Sequence, residues 1–293
     1  MNRRTSSTVG DHVRIPAVRD IANLSITGSK GLDKAHRESI KAALESYKHT
    51  VLERNLTNLR TVVDGIESRP EARRDDMRNL ERHVLNNSIN GLATSPRGLL
   101  EPAVRTELVK NCDLDGIYHL PEDFPQDRSA WYAKIRGLLE ERDATAGAFP
   151  PPDLEYLCTL VDGICGPGLP QHVFWQQYDM LGLAESSSAY DRNTVFVGEA
   201  SLPADWYLEN GDIELCVKIG RNEEHSWGGS YLLWCRRSAN DPWQWRYAAH
   251  ADENVSDIYD TLEEYLAFYA HFNEQDEAQA RRLLRYFGVK SAR

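Results

Sequence analysis

The chain has 293 residues, 41% of them hydrophobic and 27% charged, and its formal net charge is −11. These proportions are typical of globular proteins and exclude an intrinsically disordered chain. No apolar run approaches the roughly 20 residues of a membrane-spanning helix, and the first residues lack the apolar stretch of a secretory leader. We therefore expect no membrane partner and a cytoplasmic protein, with a nuclear location as the alternative.

Charge and cysteine content narrow the function classes further. Residues 1–125 hold 19 Lys and Arg against 18 Asp and Glu, whereas residues 126–293 hold 15 against 27. The acidic second half repels phosphate backbones, so we expect no nucleic-acid partner. The five cysteines are widely spaced and contain no CxxC pair, which is typical of reduced thiols and not of a disulfide framework.

The first 125 residues predict an arm followed by helices. Residues 1–30 show no periodicity and predict a flexible N-terminal arm. From Asp33 a helical pattern begins, with Ile40, Leu44 and Tyr47 on one stripe. Pro102 suits the first turn of a later helix. We therefore predict a helical region over residues 31–125, ending at a loop rich in proline and acidic residues, 119–127.

Residues 126–293 predict an α+β domain. A helix is expected around Trp131 and another over 153–164, and two more are expected after residue 257. Between them the apolar period changes to two, which predicts strands separated by short turns. Neighbouring strands with short connections favour an antiparallel meander. The fold class is therefore α+β, with a helical N-terminal region followed by an antiparallel-sheet domain flanked by helices.

The alternation assigns side chains to the two faces of this sheet. Residues 213, 215, 217 and 219, all Ile, Leu or Val, share one face. Trp243, Trp245 and Tyr247 share the core face of another strand, with Arg246 pointing outward. Cys216 and Cys235 lie within strands and are expected to be buried as small hydrophobic residues.

Aromatic residues are concentrated between Trp206 and Tyr247, where five of the seven tryptophans lie. Alternate aromatic residues on strands pack a sheet against helices, which is the structural interpretation of this segment. The same side chains could bind carbohydrate if two or more tryptophans were exposed and coplanar, and this is one alternative function. Trp227, in a loop flanked by glycines, is the aromatic residue we expect to be exposed.

No catalytic signature is present, and the sequence contains neither a GxSxG elbow nor a phosphate-binding glycine loop. The other alternative function is a hydrolase that uses His225 or His250 with a nearby carboxylate or metal. Two histidines and a carboxylate would suffice as metal ligands, but their spacing matches no compact ligand pattern. We therefore predict no metal, no cofactor and no catalytic residue, and favour a non-enzymatic protein.

A set of motifs in the second half resembles the SUKH superfamily. These motifs are a helix from Leu154 to Ile164, the run Leu202-Pro203-Ala204-Asp205-Trp206, Asn210-Gly211, the aromatic strands after Gly228-Gly229, and the helix with Leu262-Glu263-Glu264-Tyr265-Leu266. The resemblance covers about residues 150–272. The superfamily includes fungal cell-wall-synthesis regulators and bacterial toxin-immunity proteins. It implies an α+β binding module that acts through protein contacts, with no catalytic residues to carry over.

The sequence therefore predicts a regulatory module for protein–protein interaction, of undetermined oligomeric state. We expect a basic protein partner to bind the acidic loop 223–229. Its candidate contact residues are Glu223, Glu224, His225 and Trp227.

Overall fold

The computed structural model describes residues 31–69, 75–86, 89, 91–119, 128–141, 147–169, 179–182, 195–198, 202, 206, 208, 211–220, 228–251, 254–272 and 274–288. The chain divides into two units, Met1–Gly31 and Leu32–Arg293. The arm predicted over residues 1–30 lies outside the described residues. All the helices and strands given below belong to the second unit.

In chain order, five of the described α-helices precede the strands and two follow them. They are α1 (Lys34–Glu67), α2 (Asp76–His83), α3 (Pro102–Cys112), α4 (Arg128–Glu141), α5 (Pro152–Leu157), α6 (Leu262–Tyr269) and α7 (Glu277–Arg282), with 3₁₀ turns at Arg97–Leu100 and Leu283–Phe287. The start of α1 follows the prediction: the Asp33 side chain caps it by accepting from the His36 main-chain N–H at 2.8 Å. Pro102 opens α3 as expected. Within the described residues, none of these helices is both long and apolar enough to cross a membrane.

The strands form two antiparallel sheets. They are β1 (Ile164–Cys165) and β2 (Asp179–Leu181), which pair with each other, and β3 (Val195–Val197), β4 (Asp212–Lys218), β5 (Gly229–Arg236), β6 (Gln244–Ala251) and β7 (Asn254–Val255). The second sheet has the order β3-β4-β5-β6-β7, so the predicted meander is confirmed. The fold is α+β, as predicted.

The helix expected over 153–164 is shorter than predicted. It ends at Leu157, and main-chain bonds from Thr159 and Leu160 back to Tyr156 and Leu157 tighten the following turn. Ile164 belongs instead to β1, where it pairs with Leu181. The apolar spacing continues past the helix because Cys158 and Val161 are half-buried in the turn and Ile164 is buried in a strand, and periodicity alone does not distinguish these from a helix.

One face of the five-stranded sheet packs against helices and forms the main core. Val217, Leu232 and Tyr247 lie opposite one another across three strands of this face. They are buried together with Ile40 and Leu44 of α1 and with side chains of α6. Burial of such apolar area is the main favourable contribution to folding.

The opposite face of the sheet is also covered, and this makes one prediction wrong. Phe196, Trp206, Tyr231 and Leu233 form a smaller apolar cluster on that face. Arg246, expected to point into solvent, lies on the same face and is only 4% exposed. Strand alternation correctly places Arg246 on the face of the sheet away from Tyr247. The alternation does not show that both faces of the sheet are covered.

A register shift explains a second departure from the predicted faces. β4 pairs with β5 through an irregularity between Ile213 and Leu215. Leu215 and Val217 therefore lie in the main core, whereas Ile213 packs against the smaller cluster. A bulge changes the phase of alternation by one residue, so side chains before it face the other side.

A second core lies among the helices. The C-terminal half of α1 contributes Leu59, Val62 and Val63, which are buried with Leu108 of α3 and Phe287 near the C-terminus. α1 has 34 residues and therefore extends over about 51 Å. A domain boundary is predicted between residues 125 and 126, and each of the two cores contains residues from both sides of it. The segment around this boundary, residues 120–127, lies outside the described part of the chain.

Buried polar side chains of α1 hold neighbouring loops. Asn55 donates to the carbonyl of Leu114 at 2.9 Å and accepts from the N–H of Gly168 at 2.9 Å. Asn58 donates to the carbonyl of Gln275 at 3.0 Å. Because each side chain satisfies main-chain groups that water cannot reach, these bonds fix the position of the loops on α1.

Candidate functional site

The main candidate site is an open groove along the N-terminal half of α1. It consists of two cavities of about 480 and 430 Å³, which share Lys41. α1 forms one wall of both. α5 and the turn after it form the other, through Tyr156 in one cavity and Leu160 and Val161 in the other. This surface is called the α1–α5 groove below.

The larger cavity has an apolar floor and a charged rim. Leu44 and Ile117 line its floor and are buried. The cations of the rim are Lys41, Lys48 and Lys110, and its carboxylates are Glu45 and Asp162. A concave surface with an apolar floor and a few polar groups is the usual form of a ligand-binding site.

The lysines of the rim differ in their partners. Lys48 pairs with Glu45 at 3.0 Å, and 69% of the Glu45 side chain is exposed. Lys110 lies in the last turn of α3 and forms no ion pair with any carboxylate in the described part of the chain. An exposed pair contributes little to stability, so Glu45 can give way to a ligand at small cost.

His119 is held in the larger cavity by two carboxylates. Its Nε2 lies 2.9 Å from Oδ1 of Asp115, which is buried, and its main-chain N–H donates to Oδ1 of Asp113 at 2.9 Å. The hydrogen bond with Asp115 raises the pKa of His119, since the carboxylate stabilises the imidazolium. Nδ1 has no hydrogen-bond partner among the described residues, so in the protonated ring it can donate to a ligand.

Asp113, which accepts from the His119 main chain, has a left-handed backbone conformation. It follows α3 with φ of 49°, the left-handed conformation common at helix C-termini. Burial raises the pKa of its carboxyl group, and the bond from the His119 main chain acts against this effect. The turn after α3 is fixed against α1 by Asn55, which donates to the carbonyl of Leu114 at 2.9 Å. Tyr47 of α1 donates from its hydroxyl to the carbonyl of Cys165 in β1 at 2.5 Å.

The smaller cavity continues the same charge pattern toward the start of α1. Lys34 and Arg37 line it together with Lys41, and Glu38 is its carboxylate. The Arg37 guanidinium lies over the Tyr156 ring at 5.4 Å from its centroid, a cation–π contact. Glu38 pairs with Lys41 at 3.0 Å, and this bond is the largest of the effects that raise the pKa of Lys41.

The groove as a whole is cationic in an acidic protein. Both cavities together are lined by five lysines and arginines and three carboxylates, without counting His119. The whole chain carries −11. The residues lining the two cavities include no serine, threonine or cysteine, and the described part of the chain contains no group of three metal-ligating side chains. This arrangement is suited to binding an anionic group.

The predicted contact loop cannot be compared with this groove. Glu223, Glu224, His225 and Trp227 all lie outside the described residues. His250 lies on β6, and its ring is 6.4 Å from that of Trp206. Whether His225 approaches His250 therefore stays a prediction.

The tryptophans in the described part of the chain are buried or half-buried. Trp131 and Trp206 are buried, and Trp234, Trp243 and Trp245 are half-buried. Trp234 stacks on Trp243 with ring centroids 6.5 Å apart, and the planes face each other instead of forming one flat platform. These five side chains therefore do not present the exposed, coplanar surface that carbohydrate binding requires.

Sequence reasoning missed the groove and its histidine. The signal was present in the spacing of Asp115 and His119, which are four residues apart just after the end of α3. In the sequence His119 begins the predicted boundary loop of residues 119–127, which gives no other sign of this pairing. The contribution of α1 could not be found in this way because its lysines have the ordinary pattern of a solvated helix face.

Comparisons with family models, with curated proteins and with solved structures give no match for this chain.

Proposed function

We propose that this protein is a non-catalytic protein-interaction module whose α1–α5 groove binds an acidic linear segment of a partner protein. The observation that carries the proposal is the pair of open cavities joined at Lys41, with an apolar floor and a cationic rim. Charge complementarity selects the acidic segment because the groove is positive while the chain as a whole is negative. The apolar floor accepts hydrophobic side chains between the acidic ones.

The SUKH-like assignment is part of this proposal. The order of α5, the antiparallel strands β3 to β6 and the closing helix α6 supports it. Gly211 of the Asn-Gly pair directly precedes β4, where an added Cβ would collide with the carbonyl oxygen of Arg236. We also propose a cytoplasmic location, with the nucleus as the alternative, and the five free thiols support a reducing compartment.

The proposal is tested with fluorescein-labelled decapeptides in which Asp and Glu alternate with Leu and Phe, using fluorescence anisotropy at low and high salt. We expect binding that weakens with salt and falls roughly tenfold in Lys41→Glu, a loss of about 1.4 kcal/mol. The matched control is Arg78→Glu on α2, an exposed site outside both cavities. Equal affinities of the two variants would contradict the proposed groove.

The acidic loop 223–229 is proposed as a second contact, for a basic surface of the partner. Glu223 and Glu224 are its charged residues. Reversing both to lysine is expected to weaken the complex most at low salt, since screening reduces such interactions. Affinity that stays unchanged in this double variant would remove the loop from the interface.

The hydrolase alternative makes a different prediction. It requires His225 or His250 to act with a carboxylate or a metal, so the purified protein should contain a stoichiometric metal or hydrolyse model esters. Metal analysis with substitution of each histidine by asparagine tests it. Loss of a measured activity in either variant would favour the enzyme over the interaction module.

A further inference from the structure

The larger cavity of the groove contains charged groups from three separate parts of the fold. Lys48 comes from α1, Lys110 from the last turn of α3, and His119 from the segment after α3. Lys48 is close enough to His119 to oppose its protonation. Cationic groups from three parts of the fold therefore meet at this end of the groove, with Glu45, Asp162 and the Asp115 bound to His119 as their counter-charges, while the cations at the other end all belong to α1.

We infer that this cavity binds the phosphate group of a phosphorylated side chain in the partner segment, with Lys48 and Lys110 supplying charge and His119 a hydrogen bond from Nδ1. The inference rests on the proposed function, because it names the chemistry that the same groove recognises. It distinguishes a phosphorylated partner segment from one that is merely acidic.

The position of His119 favours a built site over an accidental one. Its ring is oriented through Nε2 by a buried carboxylate, and its main chain is tied to Asp113. A ring that is already held by a hydrogen bond at Nε2 loses little conformational freedom when it binds a ligand. Its hydrogen bond to the ligand therefore contributes more to affinity. The Asp115 carboxylate also stabilises the protonated ring, which is the form that can donate from Nδ1.

The carboxylates of the rim explain why a phosphate fits better than another carboxylate. Glu45 already pairs with Lys48 at 3.0 Å. At Lys48 a ligand carboxylate would replace Glu45 with a group of the same charge and would gain little at this one position. A phosphomonoester carries a charge of about −1.5 to −2 and three acceptor oxygens, so it can engage Lys48, Lys110 and His119 together.

The remaining carboxylate, Asp162, opposes this ligand and limits where the phosphate lies. It lines the same cavity, after the turn that follows α5. A phosphate is therefore placed toward Lys110 and the Nδ1 side of His119, away from Asp162 and from Asp115 on the Nε2 side of the ring, because like charges repel. The cavity volume of about 480 Å³ leaves room for the phosphate and the side chain that bears it.

The test compares two labelled acidic decapeptides that differ only in one central residue, serine or phosphoserine, by fluorescence anisotropy. On the natural protein we expect the phosphoserine peptide to bind about tenfold more tightly, a difference within the range of one to three new charge-assisted hydrogen bonds. In Lys110→Ala this advantage should disappear, and in the control Arg78→Ala it should remain. Folding of each variant is checked by far-UV circular dichroism.

The outcomes separate the inference from the proposed function. If both peptides bind equally and Lys41→Glu still weakens them, the acidic groove stands and the phosphate site is refuted. If neither peptide binds, the proposed function and the inference both fail. A shift of His119 in NMR spectra on addition of inorganic phosphate, without any advantage of the phosphoserine peptide, would overturn recognition of a phosphorylated segment in favour of a small-anion site.

Discussion

The buried arginine of β6 gives the sharpest test of how the sheet is held. Arg246 is paired with Asp260, and its Nη1 also donates to the carbonyl of Cys235 at 2.7 Å. Only 5% of the Arg246 side chain is exposed, against 42% of the Asp260 side chain. Asp260 also accepts from Nε of Arg237 at 3.0 Å. Asp260→Asn keeps the shape of this side chain but leaves the guanidinium buried without a counter-charge.

The cost of this change follows from the different exposure of the two partners. Breaking a fully buried ion pair costs about 3–5 kcal/mol, because one charge remains desolvated. Water reaches Asp260, and the Cys235 carbonyl remains as a partner, so we expect a smaller loss of about 2–3 kcal/mol in the free energy of unfolding. The matched control is Asp212→Asn. Asp212 pairs with Arg236 of β5, and its side chain is more exposed than that of Asp260. That change should cost less than about 1 kcal/mol.

The pH dependence gives an independent readout. Burial is the largest single effect on the Asp260 carboxyl group and raises its pKa, but the bonds from Arg246 and Arg237 together outweigh it, so its pKa lies below the usual value. A lowered pKa stabilises the folded protein above the unfolded-state pKa, and this contribution is lost as the pH falls through the folded-state pKa. Urea unfolding followed by tryptophan fluorescence should therefore show a gap between the natural protein and Asp260→Asn that shrinks below about pH 4. A loss equal to that of Asp212→Asn, or a gap that persists at low pH, would falsify the buried pair.

Three further predictions concern the sheet, the groove and α1. Gly211→Ala should destabilise the protein by about 1–3 kcal/mol because its Cβ would collide with backbone. Gly137→Ala, in a helix with open space around it, should instead stabilise by about 0.5–1 kcal/mol, and thermal unfolding compares the two. Asp115→Asn should lower the pKa of His119 in an NMR titration, and an unchanged pKa would show that the carboxylate does not hold the ring. Tyr47→Phe removes a buried hydroxyl that donates to a main-chain carbonyl, so urea unfolding should show a loss of about 1–2 kcal/mol.

The parts of the fold that depend on local patterns were predictable from the sequence. Asp33 caps α1 as its position before an apolar stripe indicates, and the period-two segments became neighbouring strands. Alternation predicts the face of the sheet on which Arg246 lies, but it does not predict that Arg246 is buried. Its counter-charge Asp260 lies outside the strand, and the apolar cluster on its face includes Trp206 and Ile258, so alternation within one strand carries no information about these groups.

The bulge in β4 shows a similar limit at shorter range. Ile213 continues the apolar alternation of Leu215 and Val217, so the sequence predicts one common face. The register shift moves Ile213 to the other face, where it is half-buried against the smaller cluster. Because both faces are apolar, neither arrangement exposes a hydrophobic side chain, and the pattern cannot distinguish them.

The candidate site was less predictable than the fold for a related reason. Its charged residues come from α1, α3 and the segments after α3 and α5, and each has a common local explanation. Lys48 is half of an exposed pair on a helix, and Lys110 is a cation in a last helical turn. Only their convergence around His119 distinguishes them, and that depends on how α3 packs against α1.

The charge distribution of the chain decides whether an acidic ligand can reach the groove. Its cations, Lys34 to Lys110, all lie in the first 125 residues, where charges nearly balance, whereas the excess of acid lies in residues 126–293. At physiological salt the Debye length is about 8 Å, so distant carboxylates are largely screened. A ligand in the groove therefore responds mainly to the adjacent lysines and arginine and not to the net charge of −11. At low salt the acidic half should slow the approach of the same ligand, so the partner's affinity reflects local pairing more than long-range steering.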